Sequence, residues 1–437
     1  MKTRDSKRHR FAATTSILLA VCLMASACSD ADGPALGDRS LGVITIRPGE
    51  AVQIRSLSSF DIPGAGPRDY INAVELAIED YGPIHGAFAV ELGDPINDEC
   101  TAEDGPQAAQ AVLADASTVG VIGSSCSVTA TTAAPLITAA GLVMISMSNT
   151  SPLLTSDLAG TPSQHYLTGY YRTAHNDLYQ GEAVADFLHD TLGPQKVAVV
   201  HEGDAYTEGL AQAFRSAFER HGGTIIQYIK IESGTTDVAE VLTRIAAGEP
   251  DALFFPLYQD TGADFMATVR QHGGFEDTVL VSADGVLHYS FMELDHSGGV
   301  YISGPDLDFG DNSNQATGMD AEQATERFTH NTGAPPVRAF WAHAYDATTL
   351  LLDAVTAASR VERGKLVIDR EGIRQYLDQV ANYQGIIGDI TCDAFGDCGS
   401  GRISIIQHLD PSNPDASWDN VVYRFSPQSP TSTDTHE

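Results

Sequence analysis

Hydroxyl and carboxylate side chains come directly after several predicted strands. Ser127 follows the apolar run VGVIG and the turn SSC, while Ser148 and Thr150 follow the run LVMIS. Hydroxyls and free backbone N–H groups at the start of a helix are suited to bind a carboxylate. Asp284, which follows the run TVLVSA, and the backbone carbonyl of Ser148 are suited to bind an ammonium group. This combination predicts a receptor for a small zwitterion.

Two tyrosines extend this set of strand-end residues. Tyr206 follows the run KVAVVHE and Tyr258 follows DALFFPL, and the set contains no lysine or arginine. Ligands of open α/β sheets bind outside the carboxyl ends of the strands, so these residues belong to one candidate site. Each residue alone also fits an ordinary structural role, such as a helix cap for Ser127 or an Asp-Gly turn for Asp284. Their joint placement at one sheet edge favours binding.

Catalytic chemistry is not supported by any motif. The sequence lacks a GxSxG elbow, a Walker loop, an HExxH pair and a GxGxxG turn that opens a helix. His175, His201 and His288 lie near strand ends but in no recognisable triad context. The acidic loop DLDFGDNSN, residues 306–314, lacks the spacing and the terminal glutamate of a calcium loop. We therefore expect a protein that is not an enzyme and that uses no cofactor or metal.

Apolar runs of strand length alternate with segments of helical periodicity through both halves of the chain. In the first half, strands such as VQIRSLSSF and VGVIG alternate with helices such as DYINAVELAIEDY and SVTATTAAPLITAA. In the second half, helix LYQGEAVADFLHDTL, strand KVAVVHE and helix YTEGLAQAFRSAFERHG begin the same alternation again. Unbroken apolar strands that alternate with helices indicate parallel sheets. Because 437 residues exceed the usual size of one domain, we predict two α/β lobes.

The first 27 residues resemble an export signal. Five basic residues precede an uncharged apolar run that ends on small residues before Cys28. Residues 25–28, ASAC, resemble a bacterial lipobox with alanine in place of leucine, which predicts a lipid anchor on Cys28; ordinary signal cleavage nearby is the alternative. Residues 28–40 are predicted to form a polar tether, and residues 426–437 a flexible tail. The protein is thus expected outside the cytoplasm and attached to a membrane.

Apart from Cys22 in the leader and Cys28, the sequence has four cysteines, which predict two disulfides, and the sequence alone permits three pairings. The local choice pairs Cys100 with Cys126 and Cys392 with Cys398 and closes two short loops. The two disulfides would stabilise the folded state by about 3 and about 2 kcal/mol. A zinc site is the alternative, but neither pair has CxxC spacing and no histidine lies near either pair. The formal net charge of −33, with only five lysines, disfavours nucleic acid as a partner.

Five segments, in order, resemble the type I periplasmic binding proteins, and most of all the leucine/isoleucine/valine-binding proteins of branched-chain amino acid ABC transporters. They are VGVIGSSCSVTATTAAPLI, GLVMISMSNTSPLLT, RTAHNDLYQGEAVADFL, KVAVVHEGDAYTEGLAQAF and RAFWAHAYDATTLLLDA. The resemblance implies two lobes that are joined by three hinge crossings and close on an amino acid. Lobe 1 is then expected to contain residues 41–168 and 305–384, and lobe 2 residues 169–304 and 385–425.

The resemblance also implies roles for the candidate residues of the first lobe. Ser127 matches the hydroxyl and backbone N–H that bind the ligand carboxylate. Ser148 matches a backbone carbonyl that accepts from the ammonium group, and Thr150 matches a hydroxyl and N–H for the carboxylate. Cys100 and Cys126 match the first-lobe disulfide of the family.

In the second lobe, Tyr206 and Tyr258 match tyrosines that close over the ligand, and Asp284 matches an acidic residue against the ammonium group. Two departures concern specificity. The leucine-binding pattern has glutamate where this chain has Asp284, so the carboxylate reaches less far. Ala65 stands near the position of an aromatic residue that often contacts the ligand side chain, and a smaller residue there permits a different side chain.

The resemblance implies a solute-binding lipoprotein of an ABC importer whose partners are an amino-acid-like ligand, the permease subunits and, through its anchor, the membrane. Two alternatives remain open at the level of sequence. One is a ligand-sensing receptor module with the same lobes, and the other is a binder of an amide, a urea or a small carboxylate.

Overall fold

The structure, a computed structural model, describes residues 36–60, 68–234 and 237–427. The predicted export signal, Cys28, Ala65 and most of the predicted tail lie outside these residues. None of the helices within the described part of the chain is both long and apolar enough to cross a membrane.

The strands, in chain order, alternate with the helices through most of the chain. They are β1 Val43–Ile46, β2 Val52–Ser58, β3 Val90–Leu92, β4 Ile96–Asn97, β5 Thr118–Gly123, β6 Met144–Ser146, β7 Tyr170–Arg172, β8 Lys196–His201, β9 Thr224–Lys230, β10 Ala252–Phe254, β11 Val279–Ser282, β12 Val300–Pro305, β13 Ser359–Glu362, β14 Lys365–Asp369, β15 Tyr383–Gly385, β16 Gly388–Ile390, β17 Ile403–His408 and β18 Val421–Phe425.

The helices cover the faces of the two large sheets that these strands form. They are α1 Asp69–Tyr81, α2 Gly105–Leu113, α3 Ser127–Ala139, α4 Asp177–Phe187, α5 Thr207–Arg220, α6 Ala239–Ala246, α7 Gln259–Gln271, α8 Tyr289–Met292, α9 Ala321–Thr332, α10 Trp341–Ala357, α11 Arg370–Leu377 and α12 Asp415–Asp419.

The first large sheet has the strand order β3-β2-β5-β6-β7, with β4 also paired to β2, and all of its pairings are parallel. Its central strand β5 is buried along all six residues. Strands of a parallel sheet are apolar throughout because helices cover both faces, and α2 and α3 pack together beside β5. The carboxyl ends of β5 and β6 therefore lie side by side.

The second large sheet has the order β18-β17-β12-β11-β10-β8-β9. The strands from β9 to β12 are parallel, while β17 and β18 are antiparallel additions at the other edge. The carboxyl ends of β8, β10 and β11 are neighbours in this sheet. The predicted class, two mainly parallel α/β lobes flanked by helices, is confirmed.

The chain leaves the first large sheet after β7 and enters the second at β8. The first sheet extends to Arg172, because β7 pairs with β6. This is four residues beyond the predicted first boundary at residue 168. The chain leaves the second sheet after β12, which ends at Pro305, and returns to it at Ile403, where β17 begins.

Several element ends differ from the sequence prediction for local reasons. The predicted helix over residues 178–192 ends as α4 at Phe187, and a π turn over Leu188–Leu192 follows it. Gly193, at φ 73°, closes this turn in a left-handed conformation that glycine adopts without strain. Strand β10 ends at Phe254, since Pro256 has no N–H to donate to a neighbouring strand.

Both local disulfides are formed. Cys100 and Cys126 are 26 residues apart with a Cα–Cα distance of 5.2 Å, and Cys392 is bonded to Cys398 six residues later. The first bond joins the segment before α2 to the turn that follows β5. The second closes a short loop between β16 and β17, next to the last crossing between the sheets.

Candidate ligand-binding cleft

The turn after β5 presents Ser127 at the first position of α3, where the side chain is buried. Gly123 ends the strand at φ 135°, and a Cβ atom there would overlap the carbonyl oxygen of Leu57, so only glycine fits. Asp98 is fully buried, and its Oδ2 accepts from the backbone N–H and the hydroxyl of Ser125 at 2.8 and 3.0 Å. These contacts hold the turn rigidly. The free N–H groups at the start of α3 therefore have fixed positions.

The turn after β6 lies against the first turn. The Ser148 hydroxyl donates to the carbonyl of Ser125 at 2.9 Å, which ties the two turns together. Thr150 is fully buried, and its Oγ1 has no hydrogen-bond partner within the described part of the chain. A buried hydroxyl without a partner costs free energy, and this one lies close enough to the Asp177 carboxyl to lower its pKa.

Asp284 comes directly after β11, in a short 3-10 turn that spans Asp284–Val286. Its Oδ1 accepts from Gln180 Nε2 at 2.9 Å and from the Tyr206 hydroxyl at 3.0 Å. The Tyr206 oxygen in turn accepts from the backbone N–H of Gly285 at 2.9 Å. Burial raises the pKa of Asp284, and the donors from Gln180 and Tyr206 only partly offset this.

The two tyrosines of the second sheet lie together. The rings of Tyr206 and Tyr258 are 5.3 Å apart at their centroids and inclined by 52°. The Tyr258 hydroxyl donates to Asp204 Oδ1 at 3.2 Å, and the Tyr258 N–H donates to Glu202 Oε1 at 2.8 Å. Both phenols are thus oriented by carboxylates, and burial raises the pKa of each well above its usual value.

Five of the six residues predicted to bind a ligand line one cavity of about 720 Å³ between the two sheets; they are Ser127, Ser148, Tyr206, Tyr258 and Asp284. Cys100 and Cys126 also contribute to its wall. Thr150, the sixth, is buried beside the cavity, and its carbonyl accepts from the Asp177 N–H at 2.9 Å. The structure therefore brings the strand ends of both lobes together around a space that is large enough for an amino acid.

Asp177 lies behind the cavity wall, next to Asp284, and sequence analysis missed it. It is the first residue of α4, it is fully buried, and neither carboxylate oxygen has a hydrogen-bond partner among the described residues. One polar side-chain atom from each of His175, Asp177 and Asp284 lies within 4.8 Å of the other two. Burial and the charge of Asp284 together raise the pKa of Asp177 well above its usual value. Two carboxyl groups this close together are suited to bind a cationic group.

The histidines beside this carboxyl pair carry no charge at neutral pH. Burial lowers the pKa of His175 to about 4 and that of His343 to about 3. His175 Nε2 is 2.6 Å from Gln180 Oε1, and its ring stacks on Phe340. These histidines support the side chains around Asp284 and supply no positive charge that would balance it.

Arg338 is the second residue that sequence analysis missed. It lies in the loop before α10 and lines the same cavity, together with Ala339 and Phe340. The set of strand-end residues contains no arginine, and it missed Arg338 because Arg338 precedes a helix instead of following a strand.

The acidic loop that was considered as a calcium site is paired with arginines. Asp306 forms ion pairs with Arg402 and Arg424, and Asp308 lies 3.5 Å from Arg424. These contacts give the loop a structural role at the edge of the second sheet.

Comparison with known proteins agrees with this geometry. The sequence profile of a family described as periplasmic binding proteins matches residues 63–397. A "Leu/Ile/Val-binding protein homolog 3" from Brucella melitensis is 24% identical over 74% of this chain and 79% of its own length. A leucine-binding protein from Thermotoga maritima superimposes with a TM-score of 0.70 at 23% identity, over 83% of this chain and 96% of its own. A branched-chain amino acid transporter substrate-binding protein from Streptococcus pneumoniae, crystallised with isoleucine, superimposes with a TM-score of 0.68 at 18% identity. The superposition covers 87% of this chain and 100% of that protein.

Proposed function

Since the chain belongs to the periplasmic binding protein family, of the type I, Leu/Ile/Val-binding kind, we propose that it is the solute-binding component of an ABC importer and that its ligand is an amino acid. The family consists of solute-binding proteins, and we propose that this chain has no catalytic activity of its own. The amino-acid-binding relatives named above support an amino-acid ligand.

One observation of the site carries this proposal. Donors for a carboxylate and acceptors for an ammonium group face the same cavity from different strand ends. Ser127 and the start of α3 offer donors, with the unpartnered hydroxyl of Thr150 beside them. Asp284 offers a carboxylate in the cavity wall, and a carboxylate oxygen of Asp177 lies within 4.8 Å of it. Burying a zwitterion requires a partner of opposite charge at each end, and this arrangement supplies both.

The mechanism that we propose is closure of the two lobes on the ligand. Ser127 and Ser148 come from the first sheet, whereas Tyr206, Tyr258 and Asp284 come from the second. A ligand held by the first lobe reaches the second-lobe groups only when the lobes are close together. This differential contact shifts the population toward the closed form, which the permease then recognises.

A ligand screen by thermal shift tests the proposed function. The protein is unfolded and refolded to remove any ligand carried through purification, and then mixed with amino acids, amides, ureas and small carboxylates. A ligand at 100 times its Kd stabilises the folded state by about 2.7 kcal/mol, which is a measurable rise in Tm. We expect a rise with amino acids. A rise confined to amides, ureas or simple carboxylates would overturn the assignment of the ligand class.

Binding of an amino acid is expected to weaken as the pH falls from about 8 to about 5. The raised pKa of the Asp177 and Asp284 pair means that the ligand-free protein retains a proton there at a higher pH than usual. The ligand's ammonium group favours the ionised carboxylates, so the proton competes with the ligand. Affinity then falls by up to about tenfold per pH unit for each proton displaced.

Calorimetry in two buffers of different ionisation enthalpy, at one pH, measures this proton release directly. His175 remains neutral over this range because its pKa is lowered to about 4, and the Arg172 guanidinium stays charged. Asp177→Asn is expected to flatten the pH dependence. A flat profile in the unmodified protein, without proton release, would contradict the carboxyl pair as the ammonium site.

We propose that the protein acts outside the cytoplasm and is attached to the membrane by a lipid on Cys28. The support is the export signal and the lipobox-like residues 25–28. We expect Cys28→Ser to move the protein from the membrane fraction to the soluble extracytoplasmic fraction. An unchanged distribution would show that Cys28 is not the anchor.

A further inference from the structure

The cavity wall contains one positive side chain among its described residues, that of Arg338. This guanidinium is held in place. Its carbon lies 4.0 Å from the centre of the Tyr70 ring, and its Nη1 donates to the Ser59 carbonyl at 3.3 Å. The backbone is fixed too, since Asp69 Oδ2 accepts from the N–H groups of Val337 and Arg338 at 2.6 and 2.9 Å. Arg338 is therefore positioned before any ligand arrives.

Arg338 is close to the serine turns that we assign to the ligand carboxylate. Ser59, which accepts from Arg338, donates its own N–H to the Ser125 hydroxyl at 2.8 Å. The Ser125 carbonyl accepts from the Ser148 hydroxyl at 2.9 Å. A short chain of hydrogen bonds thus connects the guanidinium to the turn of Ser148, on the same side of the cavity.

Within the described part of the chain, none of the ion pairs includes Arg338. Two buried carboxylates near it already accept from other donors. Asp69 accepts from the backbone as above, and Asp98 accepts from Ser125 and, at 3.3 Å, from the Cys100 N–H. The remaining acidic residues of the first-lobe rim, Glu99 and Glu103, are exposed to solvent, which screens their charge.

Asp69 and Asp98 balance part of the Arg338 charge, but neither accepts a hydrogen bond from its guanidinium, which donates to the Ser59 carbonyl. Closure of the lobes over a ligand with an apolar side chain would therefore enclose guanidinium N–H groups that have no acceptor, which is unfavourable. A ligand with a second carboxylate removes this problem, because the guanidinium binds a carboxylate through two parallel N–H groups. Each charged group of the ligand then has a partner: its ammonium group faces Asp284, its α-carboxylate faces Ser127, and its side-chain carboxylate faces Arg338.

We propose that the ligand is an acidic amino acid and that Arg338 determines this specificity by binding the side-chain carboxylate. The inference rests on the proposed function, because it places the α-amino and α-carboxylate groups at the site described above. It names a different side-chain class from the aliphatic amino acids in the names of the relatives.

Isothermal titration of the refolded protein with L-glutamate, L-aspartate, L-glutamine and L-leucine tests the inference. We expect glutamate or aspartate to bind more tightly than glutamine and leucine. Arg338→Met, which keeps the length of the side chain without its charge, is expected to weaken binding of the acidic ligand by about 30-fold or more. Arg338→Lys, which keeps the charge without the planar fork, is expected to give an intermediate loss.

Arg215→Met provides a matched control. Arg215 also stacks on an aromatic ring, that of Tyr228 at 5.4 Å, but lies on α5 outside the cavity wall. Arg215→Met should leave the affinities for all four amino acids unchanged. The Tm of each ligand-free variant verifies that it is folded.

The two proposals fail in different ways. Tight binding of leucine with no binding of the acidic amino acids, or an unchanged affinity for them in Arg338→Met, would overturn the inference while the proposed function stands. No binding of any amino acid would overturn the proposed function itself.

Discussion

Replacing Asp284 by asparagine is expected to weaken amino-acid binding by at least about 30-fold. The reason is the loss of the negative charge that faces the ligand's ammonium group. Truncating one member of an enclosed, hydrogen-bonded charge pair costs about 2–5 kcal/mol, and each 1.4 kcal/mol is tenfold in Kd. The asparagine oxygen still accepts from Gln180 and Tyr206, so the local structure is preserved. Calorimetric titration of the ligand found in the screen measures the loss.

Asp260→Asn is the matched control for this experiment. Asp260 also lines the cavity from the second lobe, but it is exposed and makes none of the hydrogen bonds that hold Asp284. Its replacement removes the same formal charge and should change the affinity by less than about threefold, because water screens an exposed carboxylate. If Asp284→Asn behaves like Asp260→Asn, Asp284 is a turn residue and does not bind the ammonium group.

The parts of this site that follow parallel strands were predictable from the sequence. Strands β5, β8 and β11 are unbroken apolar runs, and the residues after them must lie at the sheet edge where the chain turns. Ser127, Tyr206 and Asp284 were found in this way, and all three line the cavity. Their position depends on local sequence and on a general property of parallel sheets.

Asp177 and Arg338 could not be found by the same reasoning. Asp177 follows β7, a strand of only three residues at the edge of the first sheet and next to a crossing between sheets. Arg338 precedes α10, and its position depends on Tyr70 and Asp69 of α1, which are more than 250 residues away in the chain. Contacts of this kind depend on tertiary packing, so hydrophobic periodicity contains no information about them.

A buried arginine joins the ligand site to the last crossing between the lobes. The Arg172 side chain is fully buried, and its Nε forms an ion pair with Asp397. Its Nη1 donates to the carbonyls of Asn149 and Ser151 at 3.1 and 2.8 Å, on either side of Thr150. Its backbone N–H and carbonyl pair with Gly396 and Cys398, within the loop closed by the second disulfide. One side chain therefore positions both the turn of Thr150 and the hinge loop.

Arg172→Met is expected to lower the free energy of unfolding by about 3–5 kcal/mol, because it leaves Asp397 buried without its counter-ion. Urea denaturation measures this change, and Arg47→Met, which removes an exposed ion pair with Glu50, should cost less than about 1 kcal/mol. Arg172→Met with Asp397→Asn should be less destabilised than the sum of the two single variants, because the uncompensated charge is gone. Strictly additive losses would mean that Arg172 stabilises the hinge through the two carbonyls beside Thr150, and that the ion pair with Asp397 contributes little.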